Sequence, residues 1–307
     1  MNNNSIQYTV YSMYTVYSIQ YRHANIAGAV AVKDSFSNFH HYHPSAEMST
    51  FEGLKVGYWN IRGLCAPLRM MVMYSGTPFH AVTYQLTEKP EGGLDSSSWF
   101  GAKPALKEAN PLMNLPYIID GDLVISQTNA CFSYLGRKLK MMGDNSREEV
   151  ECEQLLCECM DLRNKVVGVS YGGSEDLGAW FEKDPSASLG KLDAWLSSKY
   201  VDGKEFAPFF VGTKACAADF HIWEMCDQFT VLGKVAGGMN PLAKYPFLSK
   251  FHVGFAALPA NAKYLSSKLS KLPMNNMMAA FGSAPDGSKF PLGTGAPITW
   301  ADTDGMY

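Results

Sequence analysis

The order of the strand and helix signals is the feature that most restricts how this 307-residue chain can fold. Between residues 54 and 138 the two kinds of signal alternate, and between residues 141 and 272 nearly all the signals are helical. Alternation of strands with helices is typical of an α/β domain, whereas consecutive helices build an all-α domain. The sequence therefore predicts a small α/β domain followed by a helical one.

The α/β part predicts the order β-α-β, an irregular segment, and then β-β-α. Large apolar residues occupy every second position of residues 54–58, as in a strand, and Pro67 stands where a helix can begin. Residues 80–86 read as a second strand. The clearest signal is the hairpin at residues 116–126, because its centre is an Asp-Gly turn pair. This order matches a thioredoxin-like sheet with the hairpin at its edge.

The two ends of the chain carry no such pattern. The N-terminal end holds a Tyr- and Ser-rich repeat (YTVYS, twice), and the C-terminal end is rich in Gly, Pro, Ala and Met. The histidines His40, His41 and His43 are close enough in sequence to chelate a metal, although a solvated linker is the simpler interpretation. The predicted organisation is a disordered extension at 1–50, an α/β domain at 54–138, a helical domain at 141–282 and a flexible tail at 283–307.

Composition excludes several classes of protein. The net charge is -3 with acidic and basic residues interspersed, whereas nucleic-acid binders concentrate Lys and Arg on one face. No stretch approaches the ~20 apolar residues that cross a bilayer. The seven cysteines are odd in number and include no CxxC pair, which indicates reduced thiols inside a cell. We therefore expect a cytoplasmic protein that binds neither nucleic acid nor membrane.

Three motifs follow one another along the α/β part: GYWNIRG at residues 57–63, NLPYIIDG at 114–121 and ISQTNA at 125–130. In this order and spacing the chain resembles a glutathione transferase, most closely the mu class, over about residues 54–282. The resemblance implies a thioredoxin-like N-terminal domain and an all-helical C-terminal domain. It also implies reduced glutathione as co-substrate, no metal, no permanently bound cofactor, and a homodimer.

The resemblance also assigns the residues that would bind glutathione. Pro116 is expected to follow a cis peptide bond, and residues 127–128 stand at a helix N-terminus, where a carboxylate is favoured. Asp161 would reach the glutathione of the neighbouring subunit. The implied glutathione contacts are Tyr58, Trp59, Leu64, Trp99, Lys103, Asn114, Leu115, Pro116, Gln127, Thr128 and Asp161.

One position departs from the mu pattern. Trp99 and Lys103 would hold the glycine-end carboxylate, but the Arg that precedes this Trp in the family is replaced by Ser96. Loss of a charge-assisted partner predicts glutathione binding that is about tenfold weaker. Lys89 or Lys107 could substitute for the missing base.

The chemistry implied for Tyr58 is stabilisation of a thiolate. A hydroxyl that donates a hydrogen bond to sulfur lowers the thiol pKa, and only the thiolate attacks electrophiles well. The expected activity is conjugation of glutathione to small hydrophobic electrophiles, as in detoxification. Trp59 would also wall the electrophile pocket, whose expected lining is Ile61, Leu64, Met160, Arg163, Val167 and Tyr171.

Other functions remain open at this stage. Cys65 precedes a helix start, where a thiol pKa can be depressed, so thiol–disulfide exchange is one alternative. A non-catalytic glutathione-binding or structural relative is another, and glutathione-dependent isomerisation is a third. By the same resemblance, Leu112 replaces an aromatic that locks mu-class dimers, so a looser dimer is expected.

Overall fold

The computed structural model describes residues 53–172, 176–200 and 205–307. The predictions for residues 1–50, including the metal-binding histidines, lie outside the described residues. The strands are β1 (Leu54–Trp59), β2 (Phe79–Tyr84), β3 (Thr87–Glu88), β4 (Leu94–Asp95), β5 (Tyr117–Asp120), β6 (Leu123–Ser126) and β7 (Gly305–Met306). The α-helices are α1 (Ala66–Tyr74), α2 (Ser97–Ala109), α3 (Thr128–Lys138), α4 (Ser146–Gly172), α5 (Leu177–Lys183), α6 (Ser186–Ser197), α7 (Ala217–Val235), α8 (Pro246–Ala256) and α9 (Ala262–Ser266).

The main sheet has the strand order β6-β5-β1-β2-β7. β1 and β2 run parallel and are joined through α1, whereas β5 and β6 form the predicted antiparallel hairpin. Gly121 supplies the positive φ of 62° that this turn requires. β3 and β4 form a separate two-stranded ribbon before α2. The α/β part therefore has the thioredoxin-like arrangement that the sequence predicted.

Helix α1 joins the sheet to the helical part. Its residues 66–73 are all buried, so the helix has no solvent face and is enclosed on every side. Tyr74 at its end packs edge-on against Phe220 of α7, with ring centroids 5.2 Å apart. Side chains of β1, α1, α4 and α7 belong to one hydrophobic cluster. The described residues consequently form a single compact unit.

Two parts of the fold differ from the prediction. The segment predicted to be irregular contains the 13-residue helix α2, which continues through Pro104. The tail, predicted to be flexible, returns to the sheet and places β7 antiparallel to β2. Among the described residues, no helix is long and apolar enough to cross a membrane.

Candidate functional site

Tyr58 lies at the C-terminal end of β1, where the chain enters the loop that leads to α1. Its side chain is 1% exposed and packs directly beneath Gly63. A Cβ at position 63 would lie 2.5 Å from the Tyr58 ring and 2.8 Å from its hydroxyl oxygen. Gly63 also has a φ of +44°, which other residues rarely adopt. The glycine of the GYWNIRG motif thus allows the backbone to lie against the phenol.

Buried arginines hold this loop. Arg69 donates a hydrogen bond to the carbonyl of Ile61 at 3.0 Å. Arg62 forms a two-pronged ion pair with Glu224 of α7, both bonds at 2.9 Å, and contacts Asp227 at 2.6 Å. Burial alone would lower the pKa of Arg62, but the charges of Glu224 and Asp227 raise it above its ordinary value. The loop beside Tyr58 is therefore anchored to the helical part.

The chain before β5 (residues 114–116) and the start of α3 (residues 127–128) form a corner, which we call the Pro116 corner. The Leu115–Pro116 peptide bond is cis, which confirms that prediction. The Ser126 hydroxyl accepts from the Asn114 N–H at 2.9 Å and donates to the Asn114 carbonyl at 3.1 Å. Hydrogen bonds among the described residues leave the backbone N–H and C=O of Leu115 unused. These groups are suited to pairing with an extended peptide.

Gln127 and Thr128 complete this corner. Gln127 is exposed and has a φ of 76°, a conformation that non-glycine residues keep mainly at functional sites. Thr128 is the buried first residue of the 11-residue helix α3. Free N–H groups at a helix N-terminus favour an anion. The corner therefore offers backbone partners and a place for a carboxylate side by side.

Trp99 packs mainly against other aromatic side chains. It is 2% exposed and belongs to a second hydrophobic cluster, where it stacks on Tyr117 with centroids 6.2 Å apart and meets Tyr84 edge-on at 5.0 Å. The Lys103 ammonium lies 5.4 Å from the indole ring. Burial, and then the charge of Lys107, lower the pKa of Lys103. The Lys103 ammonium thus lies over a packed tryptophan, and the charge of Lys107 acts on it.

The predicted residues on α4 do not share one environment. Asp161 is exposed, whereas Met160 and Val167 are half-buried. Arg163 is buried, and its charge acts on His221 of α7. Tyr171 is half-buried, and its hydroxyl accepts a hydrogen bond from the N–H of Asn276, which lies between α9 and the tail.

The tail closes the space at the end of β1. Only about 10 Å³ of cavity remains there, room for roughly one water molecule. The sequence predicts Ile61 as a pocket residue but not the other residues around this space, because no local pattern gives the path of the tail. The cavity is lined by Asn60, Ile61, Tyr84, Gln85, Leu86, Asn276, Met277 and Trp300.

A larger cleft of about 420 Å³ lies on the helical side, between α7, α8 and α9. Its charged lining includes Arg62 and Asp227, which are already paired with each other. None of the residues predicted to bind glutathione or the electrophile lines this cleft. We therefore place the candidate site at the end of β1 and the Pro116 corner.

Cys65 does not have the character that its position at a helix start suggested. The thiol is fully buried, and burial raises its pKa to about 11 despite the opposing charge of Arg69. A thiol with this pKa is protonated at neutral pH and is a poor nucleophile. The predicted depression of its pKa is wrong because burial outweighs the effect of the helix start.

Comparison with known proteins agrees with this geometry. Residues 54–137 match the family model for the N-terminal domain of glutathione S-transferase, and residues 160–268 match a model for its C-terminal domain. Glutathione S-transferase Mu 1 of Oryctolagus cuniculus is 32% identical over 223 residues, which cover 72% of this chain and 94% of the relative. Glutathione S-transferase Mu 3 of Homo sapiens is 30% identical over 239 residues, covering 78% of this chain and 99% of the relative.

Solved structures agree on the fold. The glutathione S-transferase Blo t 8 superposes with a TM-score of 0.62 at 22% identity, covering 74% of this chain and 99% of that one. The Pi-class enzyme of Onchocerca volvulus gives a TM-score of 0.60, with the same identity and coverage. The two family models and the relatives agree with the positions of the buried tyrosine, the cis-proline and the helix start. The chain therefore belongs to the glutathione S-transferase family, a family of transferase enzymes that use glutathione.

Proposed function

We propose that this protein conjugates reduced glutathione to small hydrophobic electrophiles, with Tyr58 stabilising the thiolate. The Pro116 corner carries the proposal, because it brings the unused backbone groups of Leu115 next to Gln127 and the start of α3. A γ-glutamyl peptide has both an extended backbone and an anionic end, and this corner can bind each of them.

In the proposed reaction the glutathione thiol loses its proton to solvent and its sulfur attacks the electrophilic carbon. With an aryl halide a C–S bond forms, the carbon–halogen bond breaks, and the halide leaves with the bonding electrons. The Tyr58 hydroxyl donates a hydrogen bond to the thiolate and lowers the thiol pKa. Binding both reactants in one site supplies the remaining rate acceleration, because the sulfur and the electrophilic carbon are held close together.

The glycine end of glutathione requires a positive partner. We assign this task to Lys103, assisted by Lys107, because the two ammonium groups are close enough for one to affect the pKa of the other. The family has an Arg at the position of Ser96, and Lys107 supplies the positive charge that is missing there. We give Trp99 a supporting role, since its ring packs beneath Lys103 within the second cluster.

Turnover of glutathione with an aryl halide tests the proposal. Tyr58→Phe removes only a hydroxyl, and loss of a hydrogen bond to a charged sulfur is expected to lower kcat about 10- to 150-fold at neutral pH. Tyr117→Phe is the matched control, because it removes a buried hydroxyl of the same sheet that faces Tyr84. Cys65→Ser should leave turnover unchanged. A large loss in Cys65→Ser with normal turnover in Tyr58→Phe would move the chemistry to the cysteine.

A glutathione-binding relative without turnover is the second candidate. The observation that favours it is the burial of Tyr58, whose side chain is 1% exposed beneath the loop. Calorimetric binding of glutathione with no turnover in the wild type would support this alternative. Ser96→Arg would then be expected to tighten glutathione binding without creating activity.

We also propose a homodimer, in which Asp161 of one subunit contacts the glutathione bound by the other. Asp161 is exposed midway along α4, and the Leu112 side chain is 72% exposed. Leu112→Asp should shift sedimentation towards the monomer. Val253→Asp, at an equally exposed apolar position on α8, is the control that should leave the oligomeric state unchanged.

A further inference from the structure

The last eight residues of the chain, 300–307, form a strap along the open edge of the sheet. β7 lies within this strap and pairs antiparallel with β2. Tyr307 exchanges two backbone hydrogen bonds with Phe79, at 3.0 and 3.3 Å, and their rings lie 5.8 Å apart. The strap is thus the outermost strand, and it can leave without breaking the pairing of the other strands.

Two carboxylates fix the strap on β2. Asp304 contacts the His80 ring at 2.8 Å with one oxygen and accepts the Thr83 N–H at 2.9 Å with the other. Asp302 accepts the Thr83 hydroxyl hydrogen bond at 3.1 Å. These contacts give the two-residue strand a defined register, which so short a strand would not have from its backbone alone.

The inner end of the strap is bound to the loop beside Tyr58. The buried Thr303 hydroxyl donates to the Asn60 side chain at 2.6 Å, and the Asn60 amide donates to the Ala301 carbonyl at 3.0 Å. Asn60 directly follows β1 and stands two residues after Tyr58. Movement of the strap would therefore break its hydrogen bonds to Asn60 beside the candidate site.

Trp300 begins the strap and helps to fill the space at the end of β1. It lines the 10 Å³ cavity together with Ile61 and Met277. Its indole meets Phe290 edge-on, with centroids 5.6 Å apart and an angle of 80°. An apolar ring of this chain thus lies among apolar side chains of the loop and tail, where an electrophile would need room.

We propose that the strap is a cover over the electrophile site and that Trp300 occupies the electrophile's place. In the closed form the indole fills the space. When the strap leaves β2 and Asn60, that space becomes available to flat, apolar electrophiles of about indole size. This inference rests on the function proposed above and adds to it the class of electrophile and the element that admits it.

The proposal has a quantitative consequence. A ligand that binds only the open form has its apparent affinity reduced by the fraction of molecules that are open. Weakening the strap raises that fraction, so kcat/KM for the electrophile rises in proportion until the open form predominates. Glutathione, which the Pro116 corner binds, should show no such dependence.

The test compares Asp304→Ala and Trp300→Ala with the wild type. Asp286→Ala is the matched control, because this tail carboxylate bonds, within the described part of the chain, only to Ser288. Measurements are hydrogen exchange of the Phe79 amide, binding of the apolar dye anilinonaphthalene sulfonate, and kcat/KM with an aryl halide. Asp304→Ala should raise Phe79 amide exchange and kcat/KM about tenfold or more, because each hydrogen bond lost from the carboxylate is charge-assisted. Trp300→Ala should increase dye binding, and the control should match the wild type.

The outcomes separate this inference from the function proposed above. Faster exchange in Asp304→Ala with unchanged dye binding and unchanged kcat/KM would overturn the cover. Unchanged dye binding in Trp300→Ala would overturn the role of the indole. If no variant turns over but dye binding rises, the cover is supported and the transferase function fails. Thr303→Val, which breaks the bond to Asn60, provides a second opening variant if Asp304→Ala does not fold.

Discussion

At the scale of single residues, Gly63 and Tyr58 lie so close together that neither can be understood alone. The backbone at Gly63 rests on the Tyr58 ring in a left-handed conformation. Conformation and space therefore both require glycine here. Gly76, at the end of α1, has a φ of +72° but nothing within 4 Å of where its Cβ would lie, so conformation alone requires glycine there.

This difference predicts unequal effects of the same substitution. Gly76→Ala should lower the free energy of unfolding by about 1–2 kcal/mol, the cost of the left-handed conformation. Gly63→Ala should add about 1–3 kcal/mol of overpacking against Tyr58 and should also reduce turnover. Denaturant unfolding of both variants measures the comparison. Equal losses in the two variants would show that the Tyr58 ring can move aside freely.

Residue types near the site were predictable from the sequence, but their burial was not. The cis bond before Pro116 and the helix start after Gln127 follow from local motifs. The burial of Trp99 and the raised pKa of Cys65 depend on which side chains the fold brings around them. Distant parts of the chain decide both, so no spacing within one motif could show them.

At the scale of elements, Arg62 links the loop after β1 to helix α7. The side chains of Arg62 and Glu224 are 7% and 1% exposed, so each buried charge is stabilised by the opposite charge of the other. Arg137 of α3 also contacts two carboxylates, Glu149 and Glu153, but that group is open to solvent. The two arginines therefore have similar partners in different surroundings.

Removal of each arginine should show this difference. Arg62→Met leaves a buried carboxylate without its partner and should cost about 3–5 kcal/mol of unfolding free energy. Arg137→Met should change stability by less than about 1 kcal/mol, as for exposed ion pairs. Thermal unfolding at low and high salt measures both. Similar effects of the two substitutions would mean that Glu224 gains water when Arg62 is lost.

Elements with a strong local signal were predictable, and elements that depend on a partner were not. The hairpin β5–β6 has two apolar runs on either side of an Asp-Gly turn pair, and it forms where predicted. The stretch that contains β7, ADTDGMY, has an Asp-Gly pair but no apolar run on both sides of it. It becomes a strand because the edge of β2 offers backbone groups, and any residue except proline can pair with them.

At the scale of the whole molecule, stability should depend on pH through His221. This residue of α7 is 1% exposed and stacks on Phe132, and its Nδ1 has no hydrogen-bond partner among the described residues. Burial, and then the charge of Arg163, lower its pKa to about 3. A histidine in the unfolded chain has a pKa of about 6.5. Below that pH the unfolded chain binds one proton more than the folded one.

The contribution of His221 to stability should therefore fall as the pH falls through 6.5. The contribution of His221 at pH 5.5 is a loss of about 1.4 kcal/mol relative to pH 8. His221→Phe keeps the stacking on Phe132 but cannot be protonated, so its unfolding free energy should lack this decline. Urea unfolding from pH 8 to pH 5 gives the difference between the two proteins. A difference that stays constant across this range would contradict the assignment.

The placement of the strap on β2 also affects how molecules behave towards one another. A sheet edge with unpaired N–H and C=O groups is a template for a strand from another chain. Each time the strap lifts, β2 becomes such an edge, and a strap from a second molecule has the right residues to fill it. Crowded solutions should then favour exchanged straps and chains of linked molecules, and a bound electrophile that keeps the strap open should hasten that association.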